Sequence, residues 1–167
     1  MQQETRFWRK ISLKFFAFLE KFSSTTDCGE SRQYSFPLIR CQNCQEITGW
    51  HYITQSESVP LKGSRSSANI VLKCKLCSRE NSISILPDKG KSYSAADQET
   101  FKTVVSFECR GAEPTDFSPR NGWDAEAESG ANFTDIDLSD KEWADYDERG
   151  QQTVGVYEVT HQFIREK

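Results

Sequence analysis

Two pairs of cysteines carry the most specific chemistry in this chain: Cys41 and Cys44 in RCQNCQEI (40–47), and Cys74 and Cys77 in KCKLCSRE (73–80). A C-x-x-C turn aims both sulfurs at one centre while backbone amides of the turn donate to them. Two such turns complete a closed tetrahedron around Zn2+ at about 2.3 Å per Zn–S bond. The 29 residues between Cys44 and Cys74 exceed the usual spacing of a zinc ribbon, yet a β-meander spans them and brings the turns face to face. Four thiolate ligands leave no vacant position for substrate or water, so the pattern reads as a structural zinc site.

The neighbouring charges favour the same reading. Four thiolates and one divalent ion sum to −2, and Arg40, Lys73, Lys75 and Arg79 flank them in sequence. Loading the site moves the formal chain charge from −4 to −6, since four thiolates add four negative charges and the ion returns two. A redox couple needs a thiolate of lowered pKa, usually at a helix start, and no convincing helix follows either pair. Disulfides need an oxidising compartment, for which no signal-peptide pattern speaks. Thiol redox or metal transfer through the same cysteines stands as the alternative. Cys28 and Cys109 fall outside the pattern and read as small core residues.

The elements that must position these sulfurs read as strands. With 36% hydrophobic and 12% aromatic residues, 167 residues suffice for one domain with a real core. The longest apolar run, Phe15 to Leu19, is far short of the roughly 20 residues that span a bilayer, so a soluble, cytoplasmic protein is expected. The acid-free stretch from Thr5 to Leu19 has some features of a mitochondrial presequence, but Ile11, Leu13, Phe15, Ala17 and Leu19 alternate as a strand does. Strands are expected at 11–22, 34–40, 50–54, 68–73, 82–86, 101–109 and 154–164, with turns at 62–67, 86–91, 113–116 and 118–122. Short helices or turns are expected at 95–102 and 139–146. The fold class is therefore all-β. It divides into an N-terminal extension, 1–9, and a single domain, 10–167, made of pseudo-repeated halves at about 10–90 and 91–167.

Other candidates are weaker. The loop holding Lys62 and Arg65 adds to Lys73, Lys75 and Arg79 to make a basic stretch that could dock an anion or an acidic protein patch or simply balance the zinc thiolates. The seven acids from Asp135 to Glu148 lack EF-hand spacing and read as a solvated or partner-facing surface. The GKS at 90–92 lacks the first glycine of a phosphate loop. His51 and His161 have no nucleophile arranged beside them and read as structural histidines. Trp50, Trp123 and Trp143 read as packing, because base-stacking platforms come with a continuous basic groove that is not evident here. Neither nucleic acid nor membrane is expected as a partner, and the sequence does not fix the oligomeric state.

Around the cysteines, the segments LKGSRSSAN, KCKLCSRENSI, FECRGAEPTDFSP, FTDIDLSDKEWADYDE and VGVYEVTHQF together resemble the CXXC motif containing zinc binding protein family. The resemblance runs from about Lys10 to the end. It implies an all-β protein of two quasi-symmetric barrel- or sandwich-like halves, zinc held by Cys41, Cys44, Cys74 and Cys77 of the first half, and no established catalysis. FFAFLEKF departs from the family by placing phenylalanines where polar or smaller residues are usual. If Ile11, Leu13 and Phe15 face inward, Phe16 and Phe18 face outward and call for a covering element or an association surface. Zinc binding by a non-catalytic interaction or metal-homeostasis module is the expectation.

Overall fold

The computed structural model describes residues 8–27, 33–86 and 93–166. Cys28, the GKS segment and most of the extension and of the turn at 86–91 lie outside them. Apolar alternation sets β1 (Trp8–Glu20), whose Ile11, Leu13, Phe15, Ala17 and Leu19 all point inward at 3% exposure or less. Phe16 and Phe18 take the opposite face: Phe101 rests on Phe16, and Phe18 is exposed.

After β2 (Phe22–Asp27), the stretch expected as one strand over 34–40 divides into β3 (Gln33–Phe36) and β4 (Ile39–Cys41). Pro37 lies between them and has no N–H to give a ladder. Short strands follow: β5 (Ile47–Thr48), β6 (His51–Thr54), β7 (Val59–Pro60), β8 (Ser67–Ala68), β9 (Ile70–Lys73) and β10 (Glu80–Leu86). Next come β11 (Tyr93–Ser94) and a 3-10 turn at Ala95–Asp97, where the Asp97 carboxylate accepts from the Ser94 amide and hydroxyl and from Lys102 Nζ. The remaining strands are β12 (Lys102–Arg110), β13 (Ala112–Pro114), β14 (Trp123–Ala127), β15 (Asn132–Ile136), β16 (Trp143–Asp147) and β17 (Gln152–Glu166).

β1 is the hub. It pairs antiparallel with β12 on one side and β17 on the other, within a six-stranded sheet of order β16-β17-β1-β12-β10-β9. Three strands of this sheet come from each side of residue 90. A bulge sets Ala17 against Glu158 and Val159, with Glu158 in the left-handed region at φ 55°. One end of the sheet packs on a four-stranded sheet, β11-β2-β14-β15, through Phe15 against Tyr93 and Trp123 at ring separations of 5.4 and 5.0 Å. At the other end, Phe107 meets Tyr34 and Phe36 of the two-stranded β3–β6 sheet at 5.7 and 5.3 Å. The chain is thus all-β, with two layered halves that share one sheet. The knuckle cysteines emerge where the three-stranded sheet β13-β4-β5 meets the β9 edge.

Three features refine or correct the sequence reading. Of the short helix or turn expected at 139–146, the turn forms at its start and the rest is β16, because Trp143 packs on Phe22 and Phe133 while its strand pairs with β17. Trp50 is half exposed rather than packed in the interior, and the Arg120 guanidinium covers it at 4.2 Å from the ring centroid. The expected turn at 113–116 begins inside β13, where Glu113 is buried.

Part of the acidic segment is structural. Asp147 is buried and accepts from Ser129 Oγ at 2.5 Å and the Arg149 amide at 3.0 Å, and these bonds hold its pKa below the usual carboxylate value. A carboxyl whose folded pKa is depressed stabilises the fold above its unfolded pKa of about 3.9 and loses that contribution as pH falls through the folded value. Asp147→Asn is therefore expected to melt at lower temperature than the parent at pH 7. The difference should shrink as pH falls below about 4, as thermal melts across a pH series would show.

Candidate metal centre

Each C-x-x-C folds into the same backbone loop. At the end of β4, the Cys41 amide donates to the Glu46 carbonyl at 2.8 Å, and the Gln45 amide donates back to the Cys41 carbonyl at 2.9 Å. Between β9 and β10, the Cys74 amide donates to the Arg79 carbonyl and the Ser78 amide to the Cys74 carbonyl, both at 2.9 Å. In each loop the residue after the second cysteine is left-handed, Gln45 at φ 67° and Ser78 at φ 62°. Side chains rarely adopt that conformation, at a cost of roughly 1–2 kcal/mol, and the paired backbone hydrogen bonds of each loop hold it there.

The two loops face one another. Cys41 Sγ and Cys77 Sγ are 3.8 Å apart, Cys44 Sγ and Cys74 Sγ 3.4 Å, and all four sulfurs lie within 4.8 Å of each other. A tetrahedron with Zn–S bonds of about 2.3 Å has sulfur–sulfur edges of about 3.8 Å. These thiols therefore already occupy the corners of a site of the right size, and soft sulfur donors in that shape suit zinc. Cys41 and Cys74 are buried, and Cys44 and Cys77 are partly so.

Donors converge on the sulfurs. Burial raises the Cys41 pKa, but hydrogen bonds from the Cys44 and Asn43 amides and the Asn81 side chain outweigh it, and the net shift is downward. Cys77 is pulled down to about 6 by the Asn43 side chain and the Arg79 amide. For Cys44 the Glu46 amide lowers the pKa, but burial and the sulfurs of Cys74, Cys77 and Cys41 together push it up to about 12. The set therefore holds its protons unequally, as expected for four acids packed too closely to ionise together without a cation. Cys109, fully buried in β12, is raised by burial and has no part in the cluster.

A further layer ties the first loop to both ends of the chain. The Gln42 amide donates to the Gly111 carbonyl at 2.8 Å, and Gln42 Nε2 to the Glu113 carboxylate at 2.7 Å. Glu113, 4% exposed, also meets Arg9 of β1 at 3.3 Å, Arg40 of β4 at 3.9 Å and Arg165 of β17 at 2.5 Å. Asn81 Nδ2 approaches Cys41 Sγ at 3.5 Å. Its Oδ1, buried without a hydrogen-bond partner, lies 2.2 Å from where a Cβ on Gly111 would stand. Only glycine fits at Gly111, which also has φ +81°. Sequence reading missed Gln42, Asn81, Gly111 and Glu113, although all four lie within or just beyond motifs it singled out.

The other expected sites are not drawn into this cluster. Lys62 and Arg65 are exposed at the tip of the β7–β8 hairpin. In the acidic segment, Asp137 accepts from the Ser139 hydroxyl and amide, and Asp135, Asp140, Glu142, Asp145 and Glu148 are exposed. His51 Nε2 meets Thr48 Oγ1 at 3.2 Å, and His161 lies 3.5 Å from Asp116 and edge-on to Phe117 and Phe163. Burial lowers the pKa of both histidines. Among the described residues, no helix is long and apolar enough to cross a membrane.

Fold and site together define an all-β protein with paired zinc knuckles. The profile of the family described as "CXXC motif containing zinc binding protein, eukaryotic" matches residues 13–164, and this chain belongs to that family. It is 53% identical over 158 residues to the CXXC motif containing zinc binding protein of Bos taurus and 52% identical to that of Homo sapiens. Each alignment covers 93% of this chain and 98% of the relative. The crystal structure of C1orf123 superposes with a TM-score of 0.89 at 52% identity, covering 94% of this chain and 99% of that one. A hypothetical protein from Plasmodium falciparum superposes with a TM-score of 0.85 at 25% identity, covering 93% and 99%. Zinc binding follows from the family and from the sulfur geometry.

Two substitutions test the supporting layer. Gly111→Ala should displace Asn81 and destabilise by roughly 2 kcal/mol or more. Glu113→Gln should cost about 2 kcal/mol by leaving three guanidinium groups around a neutral side chain. Urea unfolding of the zinc-loaded protein measures both.

Proposed function

We propose that zinc on Cys41, Cys44, Cys74 and Cys77 is structural and that the protein is a non-catalytic interaction module working inside the cell. The observation that carries this reading is the pairing of the sulfurs: the short approaches, 3.8 and 3.4 Å, run between the two loops. A dithiol couple would bring together the two sulfurs of one C-x-x-C, whereas a clamp joins loops that belong to different sheets. Four protein ligands close the coordination shell, and the amides aimed at the sulfurs are those that stabilise thiolate ligands.

Partner binding is read from charge. The β7–β8 hairpin exposes Lys62 and Arg65, and the acidic segment 135–148 exposes six carboxylates, so either surface could meet a protein of opposite sign. The net charge of −4 gives no support to nucleic acid.

Structural zinc contributes on the order of 10 kcal/mol of apparent folding free energy. Cys41→Ser or Cys77→Ser should therefore bind less than one zinc per chain and melt far below the parent, and unchanged melting would contradict the reading. The rival, thiol redox or metal transfer, predicts thiols that react within seconds with a mild disulfide reagent in the zinc-loaded protein. The structural reading predicts slow reaction. Charge reversal at Lys62 and Arg65 should abolish capture of a specific companion if the hairpin is the docking face.

A further inference from the structure

A cavity of about 370 Å³ opens beside the metal centre, between the β4–β5 ladder and β9. Ile39, Ile47, Leu72 and Ala112 give it apolar walls, Cys41 and Cys74 are at its margin, and Lys73 and Lys75 line its rim. Both flanking strands are sheet edges. β9 ends the six-stranded sheet and β5 ends the three-stranded one, and among the described residues no strand pairs with the outer side of either. An open edge carries a row of unpaired N–H and C=O groups, and folded proteins usually blunt it with charges, proline or a covering element. Here the edge reads Ile70-Val71-Leu72-Lys73, three partly buried apolar residues, of which Ile70 and Leu72 pack on the core, and one exposed lysine.

Exposed apolar side chains extend the surface: Ile47 is 52% exposed and Leu76, at the tip of the second knuckle, 65%. Charge around it is mainly positive. Lys73, Lys75 and Arg79 lie on or beside the second knuckle, and the hairpin holding Lys62 and Arg65 leads directly into β9, whereas Glu46 and Glu80 are the local acids. That basic edge stands on a chain whose net charge is −4, so a flexible acidic ligand is drawn to this face and repelled by the rest.

We propose that this edge takes an extended acidic segment of a partner protein as an added strand on β9. One apolar side chain of the segment fills the groove between Ile47 and Leu72, and flanking carboxylates meet Lys73 and Lys75. Main-chain pairing supplies affinity, and the groove with its lysines selects alternating acidic and apolar residues. The proposal rests on the interaction-module reading and gives that module a binding face. The zinc serves it indirectly by fixing the loops that form the groove walls.

The test uses the ¹⁵N-labelled, zinc-loaded full chain and a synthetic peptide, acetyl-Asp-Leu-Glu-Val-Asp-Leu-Glu-amide. Backbone resonances at 46–49 and 70–75 should shift on titration, and amide exchange in β9 should slow. Ile47→Asp, an exposed change, should weaken binding at least tenfold, as should N-methylation of alternate peptide bonds. The proposal is overturned if millimolar peptide leaves the β9 amides unmoved, or if the N-methylated peptide, polyglutamate or heparin binds as tightly. Zinc content and melting temperature are measured on the same samples. Full zinc and an unchanged melt without peptide binding reject the groove alone, whereas a zinc-free chain with that same melt rejects the structural-zinc reading.

Discussion

Four thiols confined within 4.8 Å cannot all ionise unless a cation stands among them, and the fold around them is arranged for that cation. The loop after β4 belongs to a three-stranded sheet and the loop after β9 to the six-stranded one. A divalent ion holding both loops joins two sheets at a corner where the hydrophobic core does not reach, since Cys44 and Cys77 are only partly buried. Gln45 and Ser78 take the same left-handed backbone, so the two loops are built alike although they come from different sheets.

Charge balance extends outward from that centre. A zinc tetrathiolate carries −2, and the cluster of Arg9, Arg40 and Arg165 around the single carboxylate of Glu113 carries +2. Gln42, placed between the first two cysteines, hydrogen-bonds to Glu113 and to Arg9 and so joins the two charge clusters. Because Arg9 belongs to the first strand and Arg165 to the last, the metal loop is coupled to both ends of the described chain. Those two strands are themselves neighbours in the central sheet.

The ligand set and the main strand were legible in the sequence because each is a local pattern. C-x-x-C spacing states the geometry of a metal loop, and Ile11 to Leu19 states a strand face. What escaped depends on residues far away in the chain. Glu113 sits in a Pro- and Asp-containing stretch that reads as a turn, and only the convergence of β1, β4 and β17 makes it a buried counter-ion. Trp50 was assigned to the interior by its type, but Arg120, seventy positions on, covers it at the surface. Asp140 and Lys141 resemble a helix start, and pairing with β17 turns the residues that follow into a strand. Family membership explains why the long motifs were recognisable, yet the layer behind the sulfurs became visible only with distances.

The paired cysteine loops stand beside an open strand edge that ends in Lys73, so the stability of the metal corner and the shape of the proposed binding face depend on the same pair of loops. X-ray absorption at the zinc edge of the purified protein tests the central claim most directly. The account predicts one zinc per chain in a shell of four sulfurs at about 2.3 Å. Nitrogen or oxygen ligands in that shell, or a folded protein containing no zinc, would contradict it.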